Sequence, residues 1–388
     1  MIRHIKRAAR AIGLKTLFKS IENSVLKLRG FNLIGLEPTI AFMKPYEVKS
    51  ISGNKAFLPE IRNCDDSEIT VFPKKESNTD KVYVWEYLNE KQSARLSKYG
   101  SVIIGNKVLC TDWNQSSFYK DIWKADKREK KTVPAAIALF SQFQDGIMYG
   151  GYYDFIFLVA TKLSRIKDAY PNEDLTHLPI VYPLFNAPYE AEYLELLGFK
   201  PENLIDSTKY KVTAQRLITG NSAHWHPNLA DLLSLKNNIQ KQFNPVKIES
   251  NRIYISRKGR RCITNEDELI PLLKKFDFVI IEDKKRTVSE QMAIYRNAEF
   301  IIGPHGASFS NIIWCEPGTH LMELFSPNYA PDFFLYLAKM MDMEYSAYYN
   351  DLPNKNIDYL VGLVENIQVS IPKLEACLEN IFARKHKS

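Results

Sequence analysis

Residues 300–308 read Phe-Ile-Ile-Gly-Pro-His-Gly-Ala-Ser. An apolar run leads into two glycines that flank a histidine, and residues 308–314 then take on helical character. A buried strand ending in a turn that opens a helix has this pattern. The neighbouring segments repeat it. Strands are predicted at 252–256, 278–282, 300–302, 319–325 and 344–348, with helices at 265–275, 289–297 and 332–341. Thr287-Val-Ser-Glu290 fits a capping box opening the second of those helices, and Pro317-Gly318 is a turn before the fourth strand. Strands alternating with helices mean a parallel sheet, so the C-terminal half reads as an α/β domain.

Such a sheet binds ligands beyond the carboxyl ends of its strands, where loops lead into helix N-termini with free N–H groups. Gly303 and Gly306 leave room for a close approach there, and the amides of Gly306, Ala307 and Ser308 face a candidate pyrophosphate position. His305 and the Ser308 hydroxyl can donate to its oxygens. The bland alternative is an ordinary glycine-rich turn. Ser256-Arg257-Lys258 closes another predicted strand and brings two cations to the same edge, where they would stabilise charge developing on a leaving diphosphate. Arg260 and Arg261 read as solvated loop residues. Glu323, at the end of the next strand, is a candidate ribose partner or a surface charge. Asn311 hydrogen-bonds phosphate or stabilises the turn; both readings stay open.

The rest of the chain sets the context. With 388 residues it has room for two domains, and 45% hydrophobic with 25% charged residues makes both of them globular rather than disordered. Residues 81–88 and 101–109 alternate like strands, and 132–142 reads as a helix. A strand at 178–184 and a helix at 189–197 form a further unit. The stretch 219–227, Thr-Gly-Asn-Ser-Ala-His-Trp-His-Pro, is a loop before a helix at 228–243, and the domain join is expected near Asn244-Pro245. The expected division is therefore 1–30, 31–243, 244–350 and 351–388, with a C-terminal helix at 371–384 packing back on the first domain.

The net charge of +7 is confined to residues 1–30, where Arg3, Lys6, Arg7, Arg10, Lys15, Lys19, Lys27 and Arg29 face Glu22 alone. Ile2, Ile5, Ile12, Leu17, Phe18, Ile21 and Leu26 recur between them at roughly helical spacing. A basic amphipathic helix of this kind lies on an anionic membrane or packs on the first domain. A basic excess so localised, with no recognition motif, argues against nucleic acid as a partner. Five cysteines at irregular spacing with no Cys-x-x-Cys pair suit a reducing compartment. No run of about 18 apolar residues suggests a membrane span, and no secretion signal is visible. A cytoplasmic protein, peripheral on the inner face of the cell membrane, is the resulting expectation.

The motifs together carry a resemblance. Arg252-Ile-Tyr-Ile-Ser-Arg257, Glu290-Gln291, Ile301-Ile-Gly-Pro-His-Gly-Ala307, Asn311, Pro317-Gly318 and Glu323, in that order, resemble glycosyltransferase family 61. The likeness is specific over 251–326, looser from about Tyr152, and absent from the first 130 residues. It implies two Rossmann-like domains facing a cleft (the GT-B architecture), a nucleotide-sugar donor, expected to be UDP-linked, in the C-terminal domain, an acceptor lobe in front, and inversion at the anomeric carbon. Arg257, His305, Gly306 and Glu323 stand at positions resembling the family's donor-side motif. Many relatives carry an Asn-Tyr-x-His-Trp-like segment followed by an acidic residue, where this chain has Tyr152-Tyr153-Asp154-Phe155.

Single-step inversion needs a base opposite the leaving group. Asp154 is the first candidate, with His224 and His226 behind it. The structural alternatives are a helix cap for Asp154 and a loop contact through Trp225 for the histidines. No Asp-x-Asp pair is present to hold a divalent metal, so metal-independent transfer with no cofactor is expected. The expected partners are the donor and a glycan or lipid-linked glycan acceptor in bacterial surface-polysaccharide assembly. Sugar-phosphate transfer in capsule polymerisation, or a noncatalytic nucleotide-sugar or glycan-binding subunit, are the alternatives.

Overall fold

The computed structural model describes residues 21, 24–65, 68–112, 126–140, 151–222, 225–241, 251–350 and 359–385. The chain is a mixed α/β protein that divides into two compact units. One comprises residues up to Gly53 together with Thr79–Ile239; the other comprises Asn54–Asn78 and residues from Gln240 onward. Most of the basic segment 1–30, and His224, lie outside the described residues. Among the described residues no helix is long and apolar enough to cross a membrane.

The C-terminal unit is built on a five-stranded sheet. Its strands are β1 (Arg252–Ile255), β2 (Val279–Ile281), β3 (Phe300–Pro304), β4 (His320–Phe325) and β5 (Glu344–Tyr349). All neighbours pair parallel, in the order β2-β1-β3-β4-β5. The inner strands are covered on both faces, which is why they read as continuous apolar runs rather than as alternation. Ile253, Tyr254, Phe300, Ile301, Ile302 and every residue of β4 are buried, each aliphatic or Phe side chain stabilising the fold by about 1.5–3 kcal/mol. Helices α1 (Glu266–Lys275), α2 (Val288–Arg296) and α3 (Phe333–Met340) connect the strands. The expected capping box opens α2: Glu290 N–H donates to Thr287 Oγ1 at 3.1 Å, and Thr287 N–H donates to Glu290 Oε2 at 2.7 Å. Gly318, with φ of 82°, makes the expected turn into β4.

Two features of this unit differ from the sequence reading. The C-terminal helix α4 (Ile371–Lys385), expected on the N-terminal half, packs on its own unit's sheet. Leu374, Cys377 and Leu378 complete the core around Tyr254, Phe278 and Phe300, and the Arg252 guanidinium lies 4.2 Å over the Phe382 ring. An amphipathic helix buries its apolar face where a matching face is open, and β1 and α1 supply one. The second difference is the excursion Asn54–Asn78, which belongs here although its chain neighbours do not. Its strands Lys55–Leu58 and Lys75–Asn78 form an antiparallel pair. Asn63 Nδ2 donates to Tyr349 O at 3.0 Å, and Tyr349 N–H donates to Asn63 Oδ1 at 2.8 Å.

The N-terminal unit is not an all-parallel Rossmann domain. Its ten-stranded sheet is mixed. Tyr210–Gly220 and Glu129–Ala138 run parallel at its centre, continued by the parallel strands Ile180–Tyr182 and Leu204–Asp206. On the other side Val82–Leu88 and Ala94–Leu96 pair antiparallel with Tyr210–Gly220. The predicted helix at 132–142 is therefore a strand. Ala136, Ile137, Ala138 and Leu139 are all buried, and a strand covered on both faces has the same unbroken apolar composition as a core helix. The predicted strand at 101–109 is two, Val102–Ile104 and Lys107–Leu109, turning at Gly105 with φ of 59°.

Candidate functional site

In a parallel sheet of this order the chain leaves β1 toward β2 on one side and returns to β3 on the other. The loops after β1 and β3 then diverge and leave a crevice between them, the position at which such sheets bind ligands. Here β1 leads into Ser256-Arg257-Lys258 and β3 into His305-Gly306-Ala307-Ser308. The two predicted motifs are thus adjacent because their strands pair, with Arg252, Ile253 and Tyr254 opposite Phe300, Ile301 and Ile302.

The side chains converge at that crevice. The Arg257 guanidinium donates from Nη1 to His305 O at 3.2 Å and from Nε to Arg260 O at 2.8 Å. It lies directly over Gly306, where an added Cβ would stand 1.8 Å from Nη1. Gly306 itself is extended (φ −174°), so it is glycine because of this close approach and not because of its backbone angle. Gly303 is needed for a similar reason: a Cβ there would meet Ile255 O at 2.8 Å. Ala307 and Ser308 open a 3-10 helix, Ala307–Trp314, whose first N–H groups have no acceptor within the helix. Both are half-buried, as is Ser256, whereas Lys258 is exposed and its N–H donates to Asp283 Oδ2 at 2.7 Å. Burial, with the nearby Arg261 and Arg260 cations, lowers the Arg257 pKa to about 10.

His305 is buried among aromatic rings, with Phe325, Tyr329 and Phe334 at 5.3, 5.5 and 5.2 Å between centroids. Its Nδ1 is 2.7 Å from Glu323 Oε1. The other oxygen, Oε2, accepts from the Tyr345 hydroxyl at 2.6 Å. Burial lowers the His305 pKa against the opposing pull of Glu323, and the Arg261 and Arg257 cations lower it further. Tyr345 is pushed well up by burial and by Glu323, so it keeps its proton and donates.

This arrangement corrects the reading of Glu323. At 0% exposure, with both oxygens engaged, the carboxyl group is not open to a ribose; it orients the histidine. Strand position alone could not distinguish the two, because the partner Tyr345 comes from the edge strand β5. Asn311 is also fully buried. Its Nδ2 donates to Gln291 Oε1 at 3.1 Å and to Ser308 O at 3.0 Å, so it ties the 3-10 helix to α2, the turn-stabilising alternative.

Arg261 is the residue that sequence reasoning passed over. Assigned to a solvated loop, it is 5% exposed and its guanidinium lies 5.0 Å over the Tyr329 ring. A run of Arg-Arg between a glycine and an apolar segment gives no sign of which arginine turns inward. The backbone does: φ at Arg261 is 59°, a left-handed conformation uncommon outside glycine.

A model of the family described as Glycosyltransferase 61 matches residues 132–322. Residues 132–322 belong to glycosyltransferase family 61. The EGF domain-specific O-linked N-acetylglucosamine transferase of Drosophila melanogaster is 34% identical over 114 residues, which is 28% of this chain and 22% of that protein. The chain spans about a fifth of the length of that relative. The family 61 match takes in Asp154, His226, Arg257, His305 and Asn311 and stops one residue before Glu323.

The family 61 segment also covers the candidate base residues, all in the N-terminal unit. Asp154 is buried, and its Oδ2 accepts from Gly151 N–H at 3.1 Å, closing the helical turn Tyr152–Phe155 from within. It sits at the third helical position, one turn inside the cap position expected from sequence. Its neighbour Tyr153 stacks on Trp225 at 5.9 Å and donates its hydroxyl to Trp225 O at 3.3 Å. Asp154 and the buried His226 are therefore carried on two segments that Tyr153 and Trp225 clamp together.

Beneath that loop lies a charged cluster with no sequence signal. Lys162 Nζ donates to Phe140 O at 2.5 Å, Arg165 Nη1 to Asp231 Oδ2 at 2.5 Å, and Ser222 N–H to Asp112 Oδ1 at 2.6 Å. All four charged side chains are buried. Burial lowers the Lys162 pKa to about 8 and raises that of Asp231. The helix Thr161–Ala169 is polar enough to read as solvent-facing; only the sheet above it makes Lys162 and Arg165 interior.

Proposed function

We propose that this chain is an inverting glycosyltransferase that moves a sugar from a nucleoside-diphosphate sugar to a glycan or lipid-linked glycan. The observation that carries the reading is the Arg257 guanidinium, seated over Gly306 and bonded to His305 O at the β1–β3 crevice of a parallel sheet within a family 61 segment. In the reaction the bond from the anomeric carbon to the β-phosphate oxygen breaks, and a bond to the acceptor oxygen forms. Negative charge grows on the departing diphosphate, where Arg257, His305 and the helix-opening amides of Ala307 and Ser308 stabilise it. The acceptor hydroxyl proton passes to a base, for which Asp154 and His226 are the candidates. The donor is taken as UDP-linked and the transfer as metal-independent, with the basic N-terminal segment holding the chain near a membrane-bound acceptor of surface-polysaccharide assembly.

Thermal-shift measurements with UDP-, GDP-, dTDP- and CMP-sugars test the donor, because a ligand of the native state raises the melting temperature by mass action. UDP-N-acetylglucosamine belongs in the panel in view of the Drosophila relative's name. The stabilising donor is then incubated without acceptor. Slow release of nucleoside diphosphate supports the reading. Release of nucleoside monophosphate indicates sugar-phosphate transfer, and binding without any turnover indicates a noncatalytic subunit.

A further inference from the structure

We infer that Arg261 is a second phosphate-binding cation of this site, held in place by Tyr329, and that the pair selects a diphosphate over a monophosphate. The inference rests on the donor-site reading of the β1–β3 crevice and goes beyond it by naming what recognises the second phosphoryl group.

Three observations converge on Arg261. It lies in the loop that carries Arg257, yet it is buried while Lys258 and Arg260 are exposed. Withdrawing a guanidinium from water is costly unless something is gained from its position. Its backbone is held at φ 59°, and such strain in a non-glycine residue persists only where the surroundings impose it. The guanidinium lies over the Tyr329 ring at 5.0 Å, and that ring meets the His305 ring at 5.5 Å. Tyr329 sits in the turn after β4, where its N–H donates to Ser326 O at 3.2 Å. The Arg261–Tyr329 contact and the edge-to-face Tyr329–His305 contact therefore link the loops after β1, β3 and β4.

Electrostatics favour the same ligand. Arg261 is the charge acting most strongly against protonated Arg257, and it also acts against a protonated His305. These cations repel one another, and an added anion beside them relieves part of that repulsion. One phosphoryl group satisfies Arg257 and the amides beyond Gly306; a second, displaced toward β4, is what Arg261 adds. Planar guanidinium forks suit the oxygens of adjacent phosphates better than point charges do.

The test is calorimetric titration of the full chain with UDP, UMP, inorganic pyrophosphate and inorganic phosphate. Wild type is expected to bind UDP and pyrophosphate more tightly than UMP and phosphate. Arg261→Gln should weaken UDP and pyrophosphate by about tenfold or more, the loss typical of a charge-assisted hydrogen bond. UMP should change by less than about threefold, being held by Arg257 and the amides. Tyr329→Leu keeps the cation and removes its support, and should give a smaller loss in the same direction; it also serves if Arg261→Gln does not fold. Unchanged UDP and pyrophosphate binding in both variants overturns the inference while leaving the donor site standing. A wild type that binds neither UDP nor pyrophosphate removes the donor-site reading and the inference with it.

Discussion

Glu323 Oε1 lies 2.7 Å from His305 Nδ1 inside the core of the C-terminal unit. With the Tyr345 hydroxyl on the other oxygen, the carboxyl group has no freedom left, and neither has the imidazole. On the proposed reading Glu323 acts through His305, as a positioning residue. Glu323→Gln keeps shape and hydrogen-bonding capacity but changes the acceptor at Nδ1. It is expected to preserve the fold and lower turnover about tenfold or more, as loss of a preorganised site donor does. Tyr345→Phe leaves one buried oxygen unsatisfied and should cost about 1–3 kcal/mol of stability. Urea unfolding and steady-state kinetics of the two variants check both. A merely structural role would lower stability without moving the pH profile of turnover.

Gly306 is a second sensitive point. Its alanine variant places a methyl group 1.8 Å from the present position of Arg257 Nη1. The backbone at φ −174° accepts alanine, so the conflict is entirely with the guanidinium. Arg257 must swing away, which its flexible side chain allows at little cost to the fold. Gly306→Ala should therefore melt only slightly lower than wild type yet bind nucleoside diphosphate at least tenfold more weakly, a charge-assisted contact being lost. Gly259→Ala is the control: no atom lies within 4 Å of its added Cβ, and its penalty arises from φ 79° alone.

The titration of His305 gives a signed pH dependence. Burial lowers its folded pKa below the ordinary value of 6.5, so the unliganded ring is neutral at pH 7. Its contribution to folding is fully present above 6.5 and is lost as pH falls from there through the folded pKa, since the unfolded chain binds the proton more readily. A diphosphate beside the ring favours the charged form and raises the pKa again. Nucleotide binding should take up a proton at His305, and affinity should rise as pH is lowered from 8 toward 6.5, the ordinary histidine value. Calorimetry in two buffers of different ionisation enthalpy measures that proton. His305→Gln should abolish its uptake.

Asp154 separates support from catalysis. Its bond to Gly151 N–H closes a helix start, and Asp154→Ala should lower stability by about 0.5–2 kcal/mol, as loss of such a terminus bond does. Asp154→Asn retains an acceptor oxygen and should fold and bind donor normally. Loss of transfer in that variant, with donor binding intact, makes Asp154 the base. Transfer at the wild-type rate leaves it as a helix terminus and turns attention to His226.

The C-terminal sheet was legible because each inner strand is buried on both faces and each loop is punctuated by glycine, proline or a cap. Phe300-Ile-Ile before Gly303, and Thr287 three residues before Glu290, are local signals whose meaning does not depend on distant residues. Arg257, His305 and Gly306 were legible for the same reason: position at a strand end implies position at the crevice. What depends on distant partners was not. Glu323 reads as a strand-end carboxylate until Tyr345 and His305 occupy it, and Arg261 reads as solvated until Tyr329 covers it. The strand Glu129–Ala138 carries an alanine-rich apolar run that would suit a helix, and only its pairing with Tyr210–Gly220 decides otherwise. The passage of Asn54–Asn78 into the C-terminal unit leaves no mark in composition.

Amide hydrogen exchange, read by mass spectrometry with and without the nucleotide sugar that most stabilises the protein, tests the location of the donor site most directly. The expected result is slower exchange in peptides spanning 256–261 and 303–309, with smaller changes elsewhere. The contradicting result is a donor that raises the melting temperature yet leaves those two peptides unprotected while slowing exchange in another part of the chain.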